Sequence, residues 1–368
     1  MKILHLTTHL NVGGITSYLY QLSQGLQKIG VQTSIASSGG EYSIEFENHK
    51  IPLYEIPLKT KSELSPKLGL SFLKLKNLHQ KEKWDLLHAH TRVSQCLAQA
   101  LSAYFKIPYV TTFHGFYHHH LGRKLFPCLG QKTIANSHAV ASHLKTAYPT
   151  RAHQITTIHH GIDTDFFHPS VVAESQKDKW RQILHLAPLP TLGIVGRLSV
   201  EKGHLHLLEI LKILMDRYHQ KVQLLIVGDG KEKESIEQKS VALGLKDFIR
   251  LIPTQNDPRP FFSLIDIYVT YHAGPEGFGL STLEAMAMGK PVVISYAQGG
   301  MGDFIQDGQE GFLMKEASVD SVAQKINGLL NSKSLQIQLG INAAQKIKDS
   351  FSHTKMAEKT KKIYEHCF

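Results

Sequence analysis

Cysteine is scarce in this chain, and several protein classes are excluded by what the sequence lacks. Only three of its 368 residues are cysteine and two are tryptophan. Cys96, Cys128 and Cys367 have neither disulfide-framework nor metal-ligand spacing, which fits a reducing cytoplasm. No run of 18 apolar residues is present, so no membrane-spanning helix is expected, and the first eight residues form a strand pattern too short for a signal peptide.

The residues that are present describe a globular α/β protein. Apolar residues make up 42% and charged residues 20% of the chain, and its length allows two domains of ordinary size. Strand and helix patterns alternate in two series, and the alternation restarts after residues 161–169. We therefore predict two doubly wound, Rossmann-like sheets that face a central cleft and bind ligands beyond the carboxyl ends of their strands.

The predicted boundaries place a first domain at residues 1–170, a second at 171–353, and a closing helix at 354–368 that packs back on the first domain. A helix near Thr16–Ile29 is expected after the first strand. Short apolar runs predict ten strands, which are Lys2–Thr7, Gln32–Ser37, Leu86–Ala89, Tyr109–Thr112, Lys132–Ala135, Leu192–Val195, Gln223–Val227, Ile249–Ile252, Ile267–Val269 and Val292–Ser295.

Two glutamates, Glu276 and Glu284, carry the most specific chemistry in the chain. Pro275 and the glycines at 277 and 279 keep the chain out of a helix until about Leu280, and Gly289 ends that helix. One carboxylate therefore precedes a helix N-terminus, whose free N–H groups and dipole favour a phosphate, and the other lies about one turn inside the helix. Carboxylates accept hydrogen bonds from hydroxyl groups, so this arrangement suits a nucleotide sugar.

The stretch from Pro275 to Val293, with seven residues between its two glutamates, resembles the donor-site signature of family 4 retaining glycosyltransferases, which have the GT-B fold. The order of glycines over the whole stretch makes this resemblance specific. It implies that Glu276 holds hydroxyls of the donor sugar and that Glu284 holds the ribose hydroxyls. It also implies donor contacts from Gly277, Phe278, Gly279, Leu280, Ser281 and Thr282, of which Ser281 and Thr282 either donate to phosphate or cap the helix.

A second motif presents two cations on a loop that follows a strand. Arg197 and Lys202 lie in residues 194–203, and such a pair binds a pyrophosphate well because Arg grips it bidentately and Lys acts as a point charge. Two solvated surface cations are the alternative. The loop matches the Gly-Arg-x-x-x-x-Lys-Gly element of the same family, which implies that both cations stabilise the departing nucleotide diphosphate. Gly228 resembles the family's glycine turn near the nucleotide, or is a plain turn glycine.

The first domain contributes one catalytic candidate, His114, at the end of a strand. In the family a histidine at this position approaches the donor sugar across the cleft and hydrogen-bonds its hydroxyl; with 23 histidines in the chain, a structural role is the alternative. Gly13 and Gly14 match the family loop whose backbone closes on the donor phosphate and the acceptor. His88 and His90 alternate on one strand and could bind a metal, but no third ligand is evident, so we expect packing or hydrogen-bonding roles.

The resemblance implies a reaction. A sugar passes from a nucleotide-diphosphate sugar to an acceptor hydroxyl with retention of configuration, and neither a metal nor another cofactor takes part. A leaving phosphate oxygen takes the acceptor proton, so His114, Arg197, Lys202 and Glu276 act by positioning and charge stabilisation. The transferred group is expected to be a hexose or N-acetylhexosamine, and the acceptor a lipid-linked or surface glycan precursor.

The net charge of +10 raises the hypothesis of an anionic partner. Leu68, Phe72, Leu75 and Leu78 fall at helical spacing among lysines in residues 65–81. We expect either an amphipathic helix packed on its own sheet or one that docks on an anionic membrane, as in relatives that glycosylate lipids. Nucleic acid is not an expected partner, because no recognition motif is present. The expected location is the cytoplasm, either free or on the inner face of the membrane.

Two other functions stay open: a nucleotide-sugar epimerase of the same fold, and a non-catalytic scaffold that binds nucleotide sugars. The complete set of Arg197, Lys202, Glu276 and Glu284 argues against a decayed scaffold. A glycogen-type phosphorylase usually needs pyridoxal phosphate on a lysine, for which no motif is visible. A dinucleotide-binding oxidoreductase is disfavoured, because Gly-x-Gly-x-x-Gly is missing after the first strand.

Overall fold

The computed structural model describes residues 1–117, 122–123, 126–296 and 299–368, which divide into two compact units. The first unit comprises Met1–Asp163 and Phe351–Phe368, and the second comprises Thr164–Ser350. These divisions lie a few residues before the predicted boundaries at 170 and 353. Each unit contains one parallel sheet with helical connections. The predicted fold class of two Rossmann-like α/β domains is therefore confirmed.

The sheet of the first unit has seven parallel strands in the order β3-β2-β1-β4-β5-β6-β7. They are β1 Lys2–Leu6, β2 Gln32–Ser37, β3 Leu53–Glu55, β4 Leu86–Ala89, β5 Tyr109–Phe113, β6 Lys132–Ala135 and β7 Ile155–Thr157. The strand order reverses between β1 and β4, which pair with Leu4 opposite Leu87. Such a switch point is where an open α/β sheet binds its ligands.

Successive side chains of β1 enter two different cores, because residues along a strand alternate between the faces of the sheet. Leu4 and Leu6 pack in one core, whereas Ile3 packs in another with Leu22 and Leu26 of the first helix. Both faces of the sheet are therefore covered. The helices with described bounds before residue 164 are α1 Gly14–Lys28, α2 Ser43–Asn48, α3 Pro66–Glu82, α4 Arg92–Phe105 and α5 His138–Ala147.

The apolar stripe of α3 belongs to the first unit's own core. Leu75 is fully buried, and Leu68, Phe72 and Leu78 pack against the same cluster. These four residues therefore pack on the first unit's own core, as the first of the two interpretations of this stripe expects. None of the helices in the described part of the chain combines the length and apolar character that a membrane span requires.

The second unit has six parallel strands in the order β10-β9-β8-β11-β12-β13. They are β8 Thr191–Val195, β9 Gln223–Val227, β10 Ile249–Ile252, β11 Ile267–His272, β12 Val292–Tyr296 and β13 Gly311–Lys315. The switch point lies between β8 and β11, whose pairing is limited to two residues on each strand, with Ile267 opposite Leu192 and Tyr268 opposite Gly193. Beyond that point the carboxyl ends of the two strands separate.

The helices of the second unit are α6 Glu174–Ile183, α7 His204–Asp216, α8 Lys233–Ala242, α9 Arg259–Leu264, α10 Leu280–Ala287, α11 Val319–Leu330 and α12 Lys333–Ser350. α7 shows why these segments are helical. Leu207, Leu211 and Leu214 recur at helical spacing and are buried against the sheet. Short 3-10 turns complete the two units at Pro149–Gln154, Val200–Lys202, Lys246–Phe248 and Met301–Asp303.

The last helix, α13 His353–Glu365, lies in the first unit although the second unit precedes it in sequence. Met356 and Ala357 share the core that contains Leu22 and Leu26 of α1. Gly25 allows the two helices to approach closely, because a Cβ there would lie 2.4 Å from the carbonyl oxygen of His353. The chain therefore returns to the first unit at its end.

Candidate active site

Two motifs of the second unit meet at the carboxyl edge of its sheet, beside the switch point between β8 and β11. Lys202 lies on the loop after β8, and Glu276 lies on the loop after β11. Although 74 residues separate them, the Nζ of Lys202 donates to Oε2 of Glu276. Both side chains are about one-fifth exposed, at 22% and 20%. The pair is therefore partly screened from water and still accessible to a ligand.

The charge of Glu276 is held by its neighbours. Burial acts to raise its pKa, but Lys202 and His272 outweigh burial and hold the pKa of this carboxyl below its usual value. The Nδ1 atom of His272 lies 3.5 Å from Oε2 of Glu276. Glu276 is thus an ionised carboxylate at neutral pH.

Two histidines complete this edge, and the sequence interpretation missed both. Burial, with a smaller contribution from Lys202, lowers the pKa of His272 and of His204 to about 4, so both rings are neutral at pH 7. The predicted strand ended at Val269, whereas β11 runs on to His272 and carries that ring to the carboxylate. The continued alternation Thr-Tyr-His after Val269 was the signal for the longer strand. The signal for His204 was its position directly after Gly203.

The N-terminus of α10 lies between the two glutamates in sequence, as expected. Gly279 is its N-cap with φ of 97°, and a Cβ there would lie 2.3 Å from Cε of Met301. Thr282 and Leu283 donate their backbone N–H groups to the carbonyl of Gly279. The N–H groups of Leu280 and Ser281 precede these bonds, at the positions that helix geometry leaves for an anion.

Ser281 and Thr282 do not cap this helix, since the cap is Gly279 and no side-chain cap bond occurs at this helix end. The hydroxyl of Tyr268 lies 3.0 Å from Oγ of Ser281 and 3.3 Å from the carbonyl oxygen of Val195, so it can donate to the carbonyl and accept from the serine hydroxyl. Thr282 is buried. Tyr268 thereby ties the start of α10 to the end of β8.

Glu284 lies on the fifth position of α10 and is partly buried. Within the described part of the chain its carboxyl group has no ion-pair or hydrogen-bond partner. Burial raises the pKa of Glu284 to about 8. Its carboxyl is consequently protonated at neutral pH, and it can both donate to and accept from a hydroxyl group.

Replacing Glu284 with glutamine is expected to stabilise the protein at pH 9 and to change its stability little at pH 4. Between the unfolded pKa of 4.5 and the folded value of about 8, the folded protein keeps a proton that the unfolded chain releases. Stability therefore falls as pH rises through this window, and glutamine removes that loss. Thermal unfolding at both pH values measures the effect, with exposed Glu237→Gln as control. An equal difference between variant and wild type at both pH values would contradict the assignment.

The remaining donor-site candidates of the second unit differ in exposure. Arg197 is exposed and has no hydrogen-bonded partner within the described residues, so it is available to an anion. Gly228 is required by the fold, because a Cβ there would lie 2.0 Å from the carbonyl oxygen of Gly196. Gly277 is partly exposed beside Glu276. Phe278 is buried with its ring 4.9 Å from that of Phe304, so only its backbone is placed for ligand contact.

In the first unit, Gly13 and Gly14 lie at the N-terminus of α1, and both are exposed. A Cβ at either position would meet no described atom within 4 Å. The fold therefore does not demand glycine at these two positions, and the space beside them is open to a ligand.

His114 follows β5 and is partly exposed, and burial lowers its pKa to about 3. His90 lies behind it, with Nδ1 3.4 Å from Nε2 of His114. The ring of Tyr18 packs edge-on at 4.7 Å. His114 is thus a neutral imidazole at the carboxyl edge of the first sheet.

No third ligand for His88 and His90 was evident in the sequence, but the structure brings His5 of β1 beside them. Ring nitrogens of the three lie within 4.8 Å of one another, which is close enough for a metal ion. Hydrogen bonds occupy most of these nitrogens. His88 contacts the hydroxyls of Tyr364 and Thr112 at 2.7 Å each, and His5 contacts His90 at 3.1 Å. The contacts therefore favour hydrogen bonding over metal ligation.

Two Rossmann-like units, each with polar groups at the carboxyl edge of its sheet, are the architecture of GT-B proteins. Two family models identify the family within this class. Residues 12–166 match the family model described as Glycosyltransferase Family 4, and residues 176–346 match the one described as Glycosyl transferases group 1. The chain therefore belongs to the group 1 glycosyltransferases of family 4 type.

Relatives of similar length span nearly the whole chain. The capsular polysaccharide biosynthesis glycosyltransferase CapM of Staphylococcus aureus is 24% identical over 377 residues, which is 99% of this chain and 96% of CapM. The UDP-Gal:alpha-D-GlcNAc-diphosphoundecaprenol alpha-1,3-galactosyltransferase of Escherichia coli is 23% identical, over 97% of this chain and 98% of its own. Anabaena HepE, solved with UDP and glucose, matches with a TM-score of 0.85 and 23% identity over the full length of both chains.

Proposed function

We propose that this glycosyltransferase is a retaining enzyme that moves a sugar from a nucleotide-diphosphate sugar to an acceptor hydroxyl. The observation that carries the proposal is the Lys202–Glu276 pair at the switch point of the second unit. A cation and a carboxylate joined there, beside the N-terminus of α10, suit a ligand with an anionic diphosphate and a sugar rich in hydroxyls.

Each candidate residue has a distinct role in this proposal. Lys202 and the exposed Arg197 neutralise the diphosphate, and the charge they supply assists departure of the nucleotide. Glu276 accepts hydrogen bonds from the sugar, and protonated Glu284 exchanges hydrogen bonds with the ribose. His114 of the first unit contacts the donor sugar. These groups position and stabilise the donor, and a leaving phosphate oxygen takes the acceptor proton, so no protein nucleophile is needed.

Metal independence follows from the same charges. The two cations on the loop after β8 supply the positive charge that a divalent ion supplies at diphosphates elsewhere. We therefore propose that activity persists in excess chelator.

The acceptor is proposed from chemistry and relatives together. CapM is named for capsular polysaccharide biosynthesis, and the Escherichia coli relative for a diphosphoundecaprenol-linked acceptor. We propose that this chain extends a lipid-linked or surface glycan precursor with a hexosyl or N-acetylhexosaminyl group. It would then work in the cytoplasm at the inner face of the membrane.

A membrane surface is proposed on residues other than the predicted stripe of α3. Leu64, Leu70 and Leu73 are 94%, 57% and 57% exposed, and Lys67 and Lys74 are exposed among them. Apolar side chains among lysines suit an anionic bilayer. The double change Leu70→Ser/Leu73→Ser is expected to weaken binding to phosphatidylglycerol vesicles by at least about fivefold, roughly 1 kcal/mol.

Vesicle co-sedimentation at low and high salt measures this binding. The matched control is Ile337→Ser/Ile341→Ser, which alters two exposed apolar residues of α12 at 54% and 60% exposure. Equal binding by both double variants would remove this surface from the proposal.

Replacement of Gly14 with alanine is expected to raise the donor KM at least about fivefold, roughly 1 kcal/mol, without loss of stability. Alanine favours the first turn of α1 by up to about 1 kcal/mol, whereas its methyl group would occupy the open space where donor phosphate is proposed to bind. Kinetics and thermal unfolding separate these two effects. Gly69→Ala, also at a helical glycine with open space beside it, is the control, and unchanged kinetics in Gly14→Ala would contradict the proposed phosphate contact.

The proposed function is tested by a donor screen that measures nucleotide release from UDP-, GDP- and ADP-sugars, with and without glycolipid acceptors in vesicles, in chelator. Release from one donor, raised by acceptor and accompanied by a retained anomeric configuration in the product, is expected. Conversion of the donor sugar without nucleotide release would indicate the epimerase instead. Donor binding without turnover would indicate the scaffold. The double variant Lys202→Ala/Glu276→Ala corrects for contaminating hydrolases.

A further inference from the structure

A row of three histidines leads from the interior of the first unit to His114. The Nδ1 atom of His5 lies 3.1 Å from Nε2 of His90, and Nδ1 of His90 lies 3.4 Å from Nε2 of His114. His5 belongs to β1, and His90 and His114 follow β4 and β5. These three strands are brought side by side by the sheet, at its switch point.

Each ring in this row carries a single proton at neutral pH. Burial lowers the pKa of His5 and of His114 to about 3, and it lowers that of His90 well below the ordinary value. A neutral imidazole has one N–H donor and one acceptor nitrogen. Since both nitrogens of His90 are engaged, one must donate and the other accept. Only two arrangements result, in which all N–H groups point either toward His114 or toward His5.

The two ends of the row differ in the exposure of their residues, and this difference distinguishes the two arrangements. His5 is fully buried, and within the described part of the chain its Nε2 has no partner. If the N–H groups pointed toward His5, that nitrogen would carry a buried N–H without an acceptor, which is rarer in proteins than a bare acceptor. The opposite arrangement places the free N–H on Nδ1 of His114. This atom is also buried and has no described partner, but it belongs to a partly exposed residue, where a bound ligand can supply the missing acceptor.

We propose that His5 is a positioning residue that acts through His90 to hold His114 in the tautomer protonated on Nδ1. His114 then offers a neutral N–H donor to an oxygen of the donor sugar. The identity of that ligand rests on the proposed function, whereas the tautomer is a property of the free protein. This allows the two to be tested separately.

The tautomer is measured on the whole chain by 15N NMR of labelled imidazoles, with His114→Ala used to assign the signals. We expect Nδ1 of His114 to be protonated and Nε2 to be bare. His5→Leu should reduce the protonated fraction at Nδ1, and His5→Asn should restore it, because an amide can still donate to His90. A bare Nδ1 in the wild-type protein overturns the inference. So does a stoichiometric metal that is lost in His5→Leu.

Kinetics provide a second test, and a merely structural role of His5 would not produce the result expected from it. We expect His5→Leu to lower kcat about tenfold while the donor KM changes little, and we expect no further loss when it is added to His114→Ala. Losses that multiply in the double variant would overturn the inference. A protein without turnover but with the expected tautomer would overturn only the proposed function.

Two thiols, whose chemistry is unrelated to that of these histidines, form a second candidate site. Sγ of Cys96, on α4, lies 3.7 Å from Sγ of Cys128, on the loop before β6. Arg92 holds that loop, because its guanidinium donates to the carbonyls of Phe126 and Pro127 at 2.8 and 3.2 Å. A cavity of about 530 Å³ adjoins Cys128 and contains Gln131 and Arg151 among its lining residues.

The acidities of the two thiols differ. The contact with Cys96 lowers the pKa of Cys128 to about 7, with Arg92 assisting, and the same contact raises the pKa of Cys96. A thiolate fraction at neutral pH is what attacks a disulfide.

We propose that Cys96 and Cys128 form a dithiol site that small-molecule disulfides oxidise. The Cys128 thiolate attacks the disulfide RSSR, and a Cys128–SR bond forms as one RS⁻ leaves. The Cys96 thiol, losing its proton to that RS⁻, then attacks Sγ of Cys128 and displaces the second thiol. The second RS⁻ takes up from solvent the proton that Cys128 released on ionising. One intramolecular disulfide and two RSH result, so electrons and protons balance.

Oxidised glutathione followed by intact mass and peptide mapping tests this site. We expect a loss of two hydrogens in the wild type, with residues 96 and 128 cross-linked and Cys367 unlinked. Cys96→Ser should instead accumulate one glutathione on Cys128. Free thiols at both positions after Cys367 has reacted would overturn the proposal, as would a stable glutathione adduct on wild-type Cys128.

Discussion

Replacement of Lys202 with alanine is expected to lower kcat/KM for sugar transfer about a hundredfold, which corresponds to roughly 2.7 kcal/mol of transition-state stabilisation. Lys202 is the cation at the switch point, and it also holds Glu276 ionised. Without it, burial raises the pKa of Glu276, so the remaining activity should decline at a higher pH than in the wild type as the solution is acidified. The rate is measured across the pH range by nucleotide release.

The chain offers a matched control for this change. Lys239→Ala removes another lysine that pairs with a glutamate, Glu209, on the helices α8 and α7. It should leave transfer unchanged. Near-wild-type turnover in a folded Lys202→Ala variant would show that the cation is not part of the reaction.

Replacement of Gly203 with alanine is expected to destabilise the protein by at least about 3 kcal/mol, because strain and collision combine at this position. Gly203 has a φ of 64°, and a Cβ there would lie 1.7 Å from the backbone carbonyl oxygen of Tyr271. Neither atom belongs to a flexible side chain, so the loop after β8 must move. Because Lys202 precedes this glycine directly, transfer should fall as well.

Thermal unfolding separates the two causes of this loss. Gly244 has almost the same φ, 69°, but a Cβ there would meet no described atom within 4 Å. Gly244→Ala should therefore cost only the left-handed backbone penalty of about 1–2 kcal/mol. Equal losses in the two variants would show that the carbonyl of Tyr271 yields without cost.

Local patterns predicted every strand in the middle of each sheet and one edge strand, β10. Each of the ten predicted strands is present, and five of them, including β2 and β9, have the predicted bounds. β3, β7 and β13 were missed. They lie at the edges of their sheets and are only partly buried, so they lack the continuous apolar run that marks a central strand.

The candidate site also contains some residues that were identified from the sequence and others that were missed. Glu276 and Lys202 were identified from their motifs, although their roles stay predictions, and the structure adds that they pair. His272 and His5 were missed, because each lies within a strand and looks like any core residue until neighbouring strands are placed. The apolar stripe of α3 was identified correctly, but only packing revealed that it faces inward and that Leu70 and Leu73 face outward.

The sequence alone determined the order of the ten predicted strands, the glycine-bounded start of α10 and the family to which the chain belongs. These follow from local propensity, spacing and motif order, which act over a few residues. Tertiary structure decided the pairing of Lys202 with Glu276, the raised pKa of Glu284 and the row from His5 to His114. Each of these features depends on contact between groups from distant segments and on exclusion of water. These two conditions arise only when the strands assemble in their non-sequential order.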